Sequence, residues 1–322
     1  MVVDCILLIV GIALLIKGAD FFVSGASEIA KALKIPPLVI GLTLVSMGTS
    51  MPEASVSVIG AINGMNDMSV GNVVGSNIFN TLLIIGVSAL ITPIVIGKDV
   101  KIYDIPAMLG MYAVLLVFSF AISPYRLETF EAVILLLTFA AYTAFLIIRA
   151  RKDAAAKAPS AKALPLSPCE RFKPPLSRSM LFVIAGLLGI VLGGDFVVDG
   201  ASSLAKAWGM SESLVGLTIV AAGTSLPELV TSAVASVKKE NDIAVGNVIG
   251  SNIFNVVFIL GLSSAISAPT LAATALVDVL VMLGAGVALA AVALLCKKVG
   301  RLAGAAFTAM YFGYLAYIIV RN

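Results

Sequence analysis

Glu53 and Glu228 are carboxylates set inside two apolar stretches, GLTLVSMGTSMPEASVSV at Gly41–Val58 and GLTIVAAGTSLPELVTSA at Gly216–Ala233, that align without a gap. An acidic side chain near a bilayer centre is unfavourable by about 2.5–3.5 kcal/mol, which confines such residues to ion paths, relays or buried pairs. Around each carboxylate the neighbours are oxygen-bearing and recur at helical spacing. Thr49, Glu53 and Ser57 lie four apart, flanked by Ser46 and Ser50, and Thr224, Glu228 and Ser232 repeat that face beside Ala221 and Ser225. Pro52 has no backbone N–H and opposes the carbonyl of Gly48, which predicts a kink with unpaired carbonyls near Ser46–Thr49, and Pro227 predicts the same near Ala221–Thr224. In lipid such carbonyls are tolerated only where protein, water or an ion satisfies them. VGNVVGSNIFN at Val70–Asn80 and VGNVIGSNIFN at Val245–Asn255 add Asn72, Ser76 and Asn80, and Asn247, Ser251 and Asn255.

A ligand set of carboxylate, carbonyl, hydroxyl and amide oxygen suits hard cations, and calcium takes six to eight oxygens at about 2.3–2.6 Å. The chain has no histidine, and its three cysteines, Cys5, Cys169 and Cys296, lack metal-ligand spacing, so zinc and copper are poorly supported. Any proton coupling would have to use carboxylates. Two carboxylates give a site of formal charge near −2, which one divalent ion or two or more monovalent ions neutralise. A site of that kind is suited to exchange. Gly71, Gly75, Gly246 and Gly250 form G-x-x-x-G pairs that read as close helix packing.

The elements that must position these groups are membrane helices. With 60% hydrophobic and 12% charged residues and a mean hydropathy of +1.09, the chain cannot hide its apolar surface in a soluble core. Ten apolar runs are expected to span, at about 4–29, 36–62, 69–94, 102–122, 127–149, 178–204, 211–237, 243–267, 270–296 and 301–320. The first has no basic n-region and no cleavage site, so it reads as a retained helix rather than a signal peptide. The connection Arg149–Arg178 holds eight Lys and Arg against Asp153 and Glu170, which places it in the cytoplasm and both termini outside. The small net charge of +3 therefore reflects topology, gives no reason to invoke nucleic acid, and leaves anionic lipid as a contact of the basic loop.

The repeat holds a constant offset of 175 residues from Gly18 to about Ser88, with GADFFVSGAS at Gly18–Ser27 answering GGDFVVDGAS at Gly193–Ser202. Each unit has five predicted helices, an odd number, so the two must be inverted. The expected class is an all-α integral membrane protein: residues 1–149 form one repeat (motif about 36–94), 150–177 a polar basic linker, and 178–322 the second repeat (motif about 211–267). Secondary transporters use this design, binding substrate near the midplane where the repeats meet. Asp20 and Asp195 are expected to cap or pair locally, and Asp104 and Asp278 to be interfacial.

GTSMPE with GNVVGSNIFN, and GTSLPE with GNVIGSNIFN, resemble the two alpha repeats of the calcium/cation antiporter superfamily, most closely its prokaryotic sodium/calcium exchangers. The resemblance covers all ten predicted helices. It implies an antiporter moving Ca2+ against Na+ in a prokaryotic plasma or inner membrane, with no cofactor, no catalytic residue and a monomer as the working unit. Carried over by motif position, Glu53 and Glu228 would be the central carboxylates, and the Thr49 and Thr224 carbonyls would complete a calcium site. Ser50, Ser76, Ser225 and Ser251, with carbonyls of Ser46 and Ala221, would serve flanking sodium sites, and Asn80 and Asn255 would line the middle. Both of those positions are neutral amides here, which argues against potassium cotransport, and the short linker carries no large calcium-sensing domain.

Two other readings use the same residues. In calcium/proton exchange the carboxylates would carry protons, but the proton-coupled branch has a glutamate after its G-N pair where this chain reads GNVVGSN. A cation channel, from a different class, does not require an inverted repeat.

Overall fold

In the computed structural model, which describes residues 2–64, 66–156, 176–209, 221–271 and 274–321, the chain is helical, with no strand among the described residues. In chain order the apolar helices are α1 (Val2–Leu33), the short pair α2 (Pro37–Thr49) and α3 (Met51–Ile62), α4 (Met68–Ile91), α5 (Val100–Ile122), α6 (Thr129–Ala156), α7 (Leu176–Ala207), the short α8 (Leu226–Val237), α9 (Asn241–Ile266), α10 (Ala275–Leu295) and α11 (Arg301–Arg321). Eight of them are long and apolar enough to cross a membrane. Helix α6 runs past its expected end at 149 because Arg149–Ala156 is rich in good helix formers. Residues 157–175, most of the expected linker, and 210–220, the first part of the seventh expected span, lie outside the described residues.

Burial sorts the helices into centre and rim. The most apolar windows of α9 and α4 are 94% and 72% buried, against 11–39% for the other six long helices. The two central helices are those carrying the G-N-V-x-G-S-N-I-F-N motifs, whose polar side chains require protein on every side. Rim helices turn residues such as Ile9, Leu137, Leu188 and Val287 outward, an arrangement that costs nothing against hydrocarbon.

Helices α1 and α7 run antiparallel in close contact, and glycine permits the approach. A Cβ on Gly18 would fall 2.8 Å from the Gly186 carbonyl oxygen, one on Gly193 would fall 2.8 Å from the Gly11 carbonyl oxygen, and one on Gly25 would fall 2.7 Å from the Ser179 carbonyl oxygen. These glycines recur every seven residues in both helices, one step on the same face every two turns. Gly246 and Gly250 do the same for α9 against α2, where an added Cβ would lie 2.7 Å from the Leu38 carbonyl oxygen and 2.6 Å from Ser46 Oγ.

Short backbone bridges join the helix connections. Ile94 and Val299 exchange N–H···O bonds of 3.0 and 2.8 Å, and Leu127 N–H donates to Pro269 O while Leu271 N–H donates to Tyr125 O. Two side-chain clamps accompany them. Arg149 Nη1 donates to both oxygens of Asp104 at 3.0 and 3.1 Å, with Tyr142 Oη donating at 3.2 Å. Arg321 holds Asp278 at 2.9 and 3.1 Å, with Tyr314 Oη at 3.0 Å. Asp104, near the start of α5, is fully buried by protein, because the arginine seven residues beyond Tyr142 supplies its countercharge inside the helix packing. Asp20 pairs with the other half of the chain rather than with a neighbour in sequence, at 2.6 Å from Lys238 Nζ.

Since the α1–α7 approach leaves no room for a side chain, Gly18→Leu should destabilise the detergent-solubilised protein by about 1–3 kcal/mol through overpacking. Gly110→Leu, on an exposed face of α5 with no described atom within 4 Å of its Cβ position, should leave the apparent Tm unchanged. Thermal unfolding of the two variants checks the difference.

Candidate functional site

Each carboxylate stands in the first turn of a helix that begins at a break. The helix through GTSMPE does not bend at Pro52; it stops at Thr49 and restarts at Met51, with Ser50 between at φ −84° and ψ 10°. Ser225 takes the same conformation, φ −92° and ψ 5°, at the start of α8. This corrects the expected kink. Proline lacks only an N–H that the first turn of a new helix leaves unpaired anyway, so Pro52 and Pro227 are compatible with a restart. Glu53 and Glu228 then lie in the first turns of α3 and α8, where the positive helix end favours a carboxylate.

Ser50 and Ser225 occupy N-cap positions, yet neither side chain caps its helix. They reach across instead. Ser50 Oγ donates to Glu228 Oε1 at 2.7 Å, and Ser225 Oγ donates to Glu53 Oε1 at 2.8 Å. Each carboxylate is thus held by a serine of the opposite repeat, and Ser76 Oγ joins the second contact at 3.1 Å from Ser225 Oγ.

A supporting layer comes from α4 and α9. Asn72 Nδ2 donates to Ser57 Oγ at 2.9 Å and to the Glu53 carbonyl at 3.2 Å, and Asn247 Nδ2 donates to Ser232 Oγ at 2.9 Å and to the Glu228 carbonyl at 3.4 Å. Thr49 Oγ1 donates to Asn247 Oδ1 at 3.0 Å, and Ser251 Oγ donates to the Ser46 carbonyl at 3.3 Å. Ser46, Thr49, Ser50, Glu53, Ser76, Asn80, Ser225, Glu228, Ser251 and Asn255 are all buried, none more than 4% exposed. Thr224 is half-buried in the turn before α8, and Ala221 begins the described part of that segment.

Asn80 and Asn255 fall in matching π-helical turns, Phe79–Ile84 in α4 and Asn255–Leu260 in α9. Such turns interrupt the regular backbone ladder and concentrate at functional sites. Neither amide bonds to a carboxylate. Direct side-chain bonds therefore join Ser50 to Glu228, and Ser225 to Glu53 and Ser76, whereas Asn80 and Asn255 bond to none of these five. The spacing argument passed over Asn77, Asn252 and Thr81, which form a buried network beside them; four-residue spacing selects Asn72, Ser76 and Asn80 and steps past Asn77, although the repeat itself carries Asn77 and Asn252 as a pair.

The chemistry left open is acceptor chemistry, with the Asn80 NH2 as the one unpaired donor among the described site residues. Glu53 Oε2, Glu228 Oε2, Asn255 Oδ1 and both polar atoms of Asn80 are buried without a protein partner among the described residues. No Lys or Arg among the described residues pairs with either glutamate. Two buried carboxylates with uncommitted oxygens and no protein cation fit a hard metal ion, since a buried charge left unpaired is costly.

Comparison with known proteins identifies the family. A family model described as sodium/calcium exchanger protein matches residues 4–148 and 178–320. The inner membrane protein YrbG of Escherichia coli strain K12 is 40% identical over 262 residues, covering 81% of this chain and 79% of its own length. The sodium/calcium exchanger MaX1 of Methanosarcina acetivorans is 32% identical over 292 residues, covering 81% and 82%. Among solved structures, the sodium-calcium exchanger NCX_Mj soaked with zero Na+ and Ca2+ superimposes with a TM-score of 0.84 at 29% identity, over 98% of this chain and 99% of that one. The chain belongs to the sodium/calcium exchanger family, whose members are membrane antiporters and not enzymes.

Proposed function

We propose that this chain exchanges Ca2+ for Na+ at a single site built by Glu53 and Glu228. The observation that carries the reading is the pair of buried carboxylates, each with one oxygen on a serine of the other half and one oxygen with no protein donor. Their joint charge is neutralised by one calcium ion or by two or more sodium ions, so the two cargoes compete for the same countercharge. Competition for one charged site is the condition for coupled exchange rather than leak. In this reading the Thr49 and Thr224 carbonyls complete the calcium shell. Ser50, Ser76, Ser225 and Ser251, with the Ser46 and Ala221 carbonyls, serve sodium, and Asn80 and Asn255 line the middle. One chain supplies every ligand, in keeping with a monomer.

The architecture proposed is ten spans in two inverted five-helix repeats, 1–149 and 178–322, joined by a cytoplasmic linker at 150–177. Helices α2 and α3 together make one broken span, and α8 belongs to its counterpart. The antiparallel contact of α1 with its mate α7, and the reciprocal serine bonds, support inversion. Alternating access follows if α1 and α7, locked to one another by glycine contacts, move as one body against the central α4 and α9. Basic linker residues in the cytoplasm and both termini outside define the orientation, in a prokaryotic inner membrane.

Radiolabelled calcium uptake into proteoliposomes tests the function. An imposed sodium gradient should drive uptake, and Glu53→Gln or Glu228→Gln should lower it at least about 100-fold, the scale of 3–5 kcal/mol for breaking a buried charged site. Uptake driven by a pH gradient without sodium would replace this reading with proton exchange, and a conductance that persists with voltage as the sole driving force, far above carrier turnover, would replace it with a channel. Orientation is checked in intact cells of single-cysteine variants, because Cys5 and Cys296 are both exposed on the protein surface. A membrane-impermeant maleimide should label Cys5 from outside and Cys296 only after permeabilisation.

A further inference from the structure

We infer that Asn77 is a positioning residue for cation binding: it fixes the Asn255 amide so that the oxygen, and not the NH2 group, is left for the ion. The inference rests on the reading of Asn255 as a residue lining the site, and it adds a residue that touches neither carboxylate.

The orientation follows from one backbone atom. Asn77 Nδ2 donates to the Asn252 carbonyl at 3.0 Å, and a carbonyl oxygen can only accept. This bond decides which arm of the Asn77 amide is nitrogen, a choice that distances within an amide network do not otherwise settle. Asn77 Oδ1 must then point the other way, where it accepts from Asn255 Nδ2 at 3.0 Å. With its nitrogen committed, Asn255 presents Oδ1, which is buried and has no partner among the described residues. Asn255 opens the π-helical turn that packs on α3, the helix bearing Glu53. A fixed carbonyl dipole on an element packed against the Glu53 helix can attract a cation, whereas a freely turning amide would present its N–H hydrogens for part of the time and repel it.

The repeat does not copy the device. The mate of Asn77 is Asn252, but Asn252 Nδ2 donates to Thr81 Oγ1 at 2.8 Å, and the position matching Thr81 is Val256, which offers no hydroxyl. Asn252 is thereby drawn away from the role that Asn77 plays, and Asn80 keeps neither amide atom bonded among the described residues. One half of the molecule thus holds an oriented amide and the other does not, although both carry the same GSNIFN motif. A single threonine-to-valine difference between the repeats breaks the symmetry of the pair.

The test measures half-saturating calcium and maximal rate of sodium-driven uptake in proteoliposomes for Asn77→Leu, Asn255→Ala, Asn255→Asp and the two double variants. Removing a residue that orients a ligand costs about 10- to 100-fold in metal affinity or activity. Asn77→Leu should therefore raise half-saturating calcium at least about tenfold while the maximal rate changes far less. Added to Asn255→Ala it should do nothing further, because there is no amide left to orient. Added to Asn255→Asp it should also do nothing, because a carboxylate presents oxygen whichever way it turns. An unchanged half-saturation in Asn77→Leu, a loss confined to maximal rate, or equal losses in all backgrounds would overturn the inference. An unchanged half-saturation in Asn255→Ala would instead overturn the reading of Asn255 on which it rests. Should Asn77→Leu aggregate on gel filtration, Asn77→Ser removes the same amide with less apolar bulk and is judged by the same outcomes.

Discussion

Two buried carboxylates from opposite halves of one chain are each held by a serine of the other half, and that constraint orders the rest of the molecule. Like charges in low dielectric repel strongly, and no protein cation among the described residues stands beside them to relieve the strain. What the protein supplies is partial charge. Serine hydroxyls from the opposite half reach one oxygen of each glutamate, and the positive ends of α3 and α8 lie directly beneath. These groups steady the carboxylates without neutralising them, so the remaining demand for positive charge can be met by a mobile ion. A lysine at the same place would satisfy the carboxylates permanently and close the site.

The breaks at Ser50 and Ser225 serve the same end. A continuous helix would bury the serine against its own turn, whereas a residue in the bridge region between two helices turns its side chain sideways. The supporting asparagines on α4 and α9 tie the restarted helices to the central pair through the Glu53 and Glu228 carbonyls, so the carboxylates cannot drift apart without loss of those bonds. Farther out, the Asp104–Tyr142–Arg149 and Asp278–Tyr314–Arg321 clamps and the paired connections brace the rim. The α1–α7 pair is joined to itself through glycine backbones, and Asp20–Lys238 and Ser27–Glu240 tie it to the end of α8 and the turn that follows.

Much of this was legible from residue order. The repeated carboxylates, the hydroxyls four residues on either side and the offset of 175 residues define which side chains must converge, since charge inside an apolar helix has few tolerable uses. The eight long helices were legible because long apolar runs between charged connections have one physical reading in a membrane, whereas the expected run 36–62 is two short helices. What escaped was anything decided by a partner distant in sequence. Pro52 is compatible with a kink or a restart, and the choice fell to Ser50, whose hydroxyl gains a charge-assisted bond only if the helix ends there. The burial of Asp104 was not legible because its partner, Arg149, lies at the far end of the next helix. Asn77 was hidden because its importance lies in which way it turns another amide, a matter of bonding direction rather than of spacing.

The central claim is that Glu53 and Glu228 form one site and not two. Equilibrium binding of radiolabelled calcium to the purified protein measures this most directly, by counting ions bound per chain in the parent and in each single glutamate-to-glutamine variant. The account predicts one calcium per chain, displaced by sodium, and loss of that single ion in either variant alone. Two calcium ions per chain, with one retained after either substitution, would contradict it.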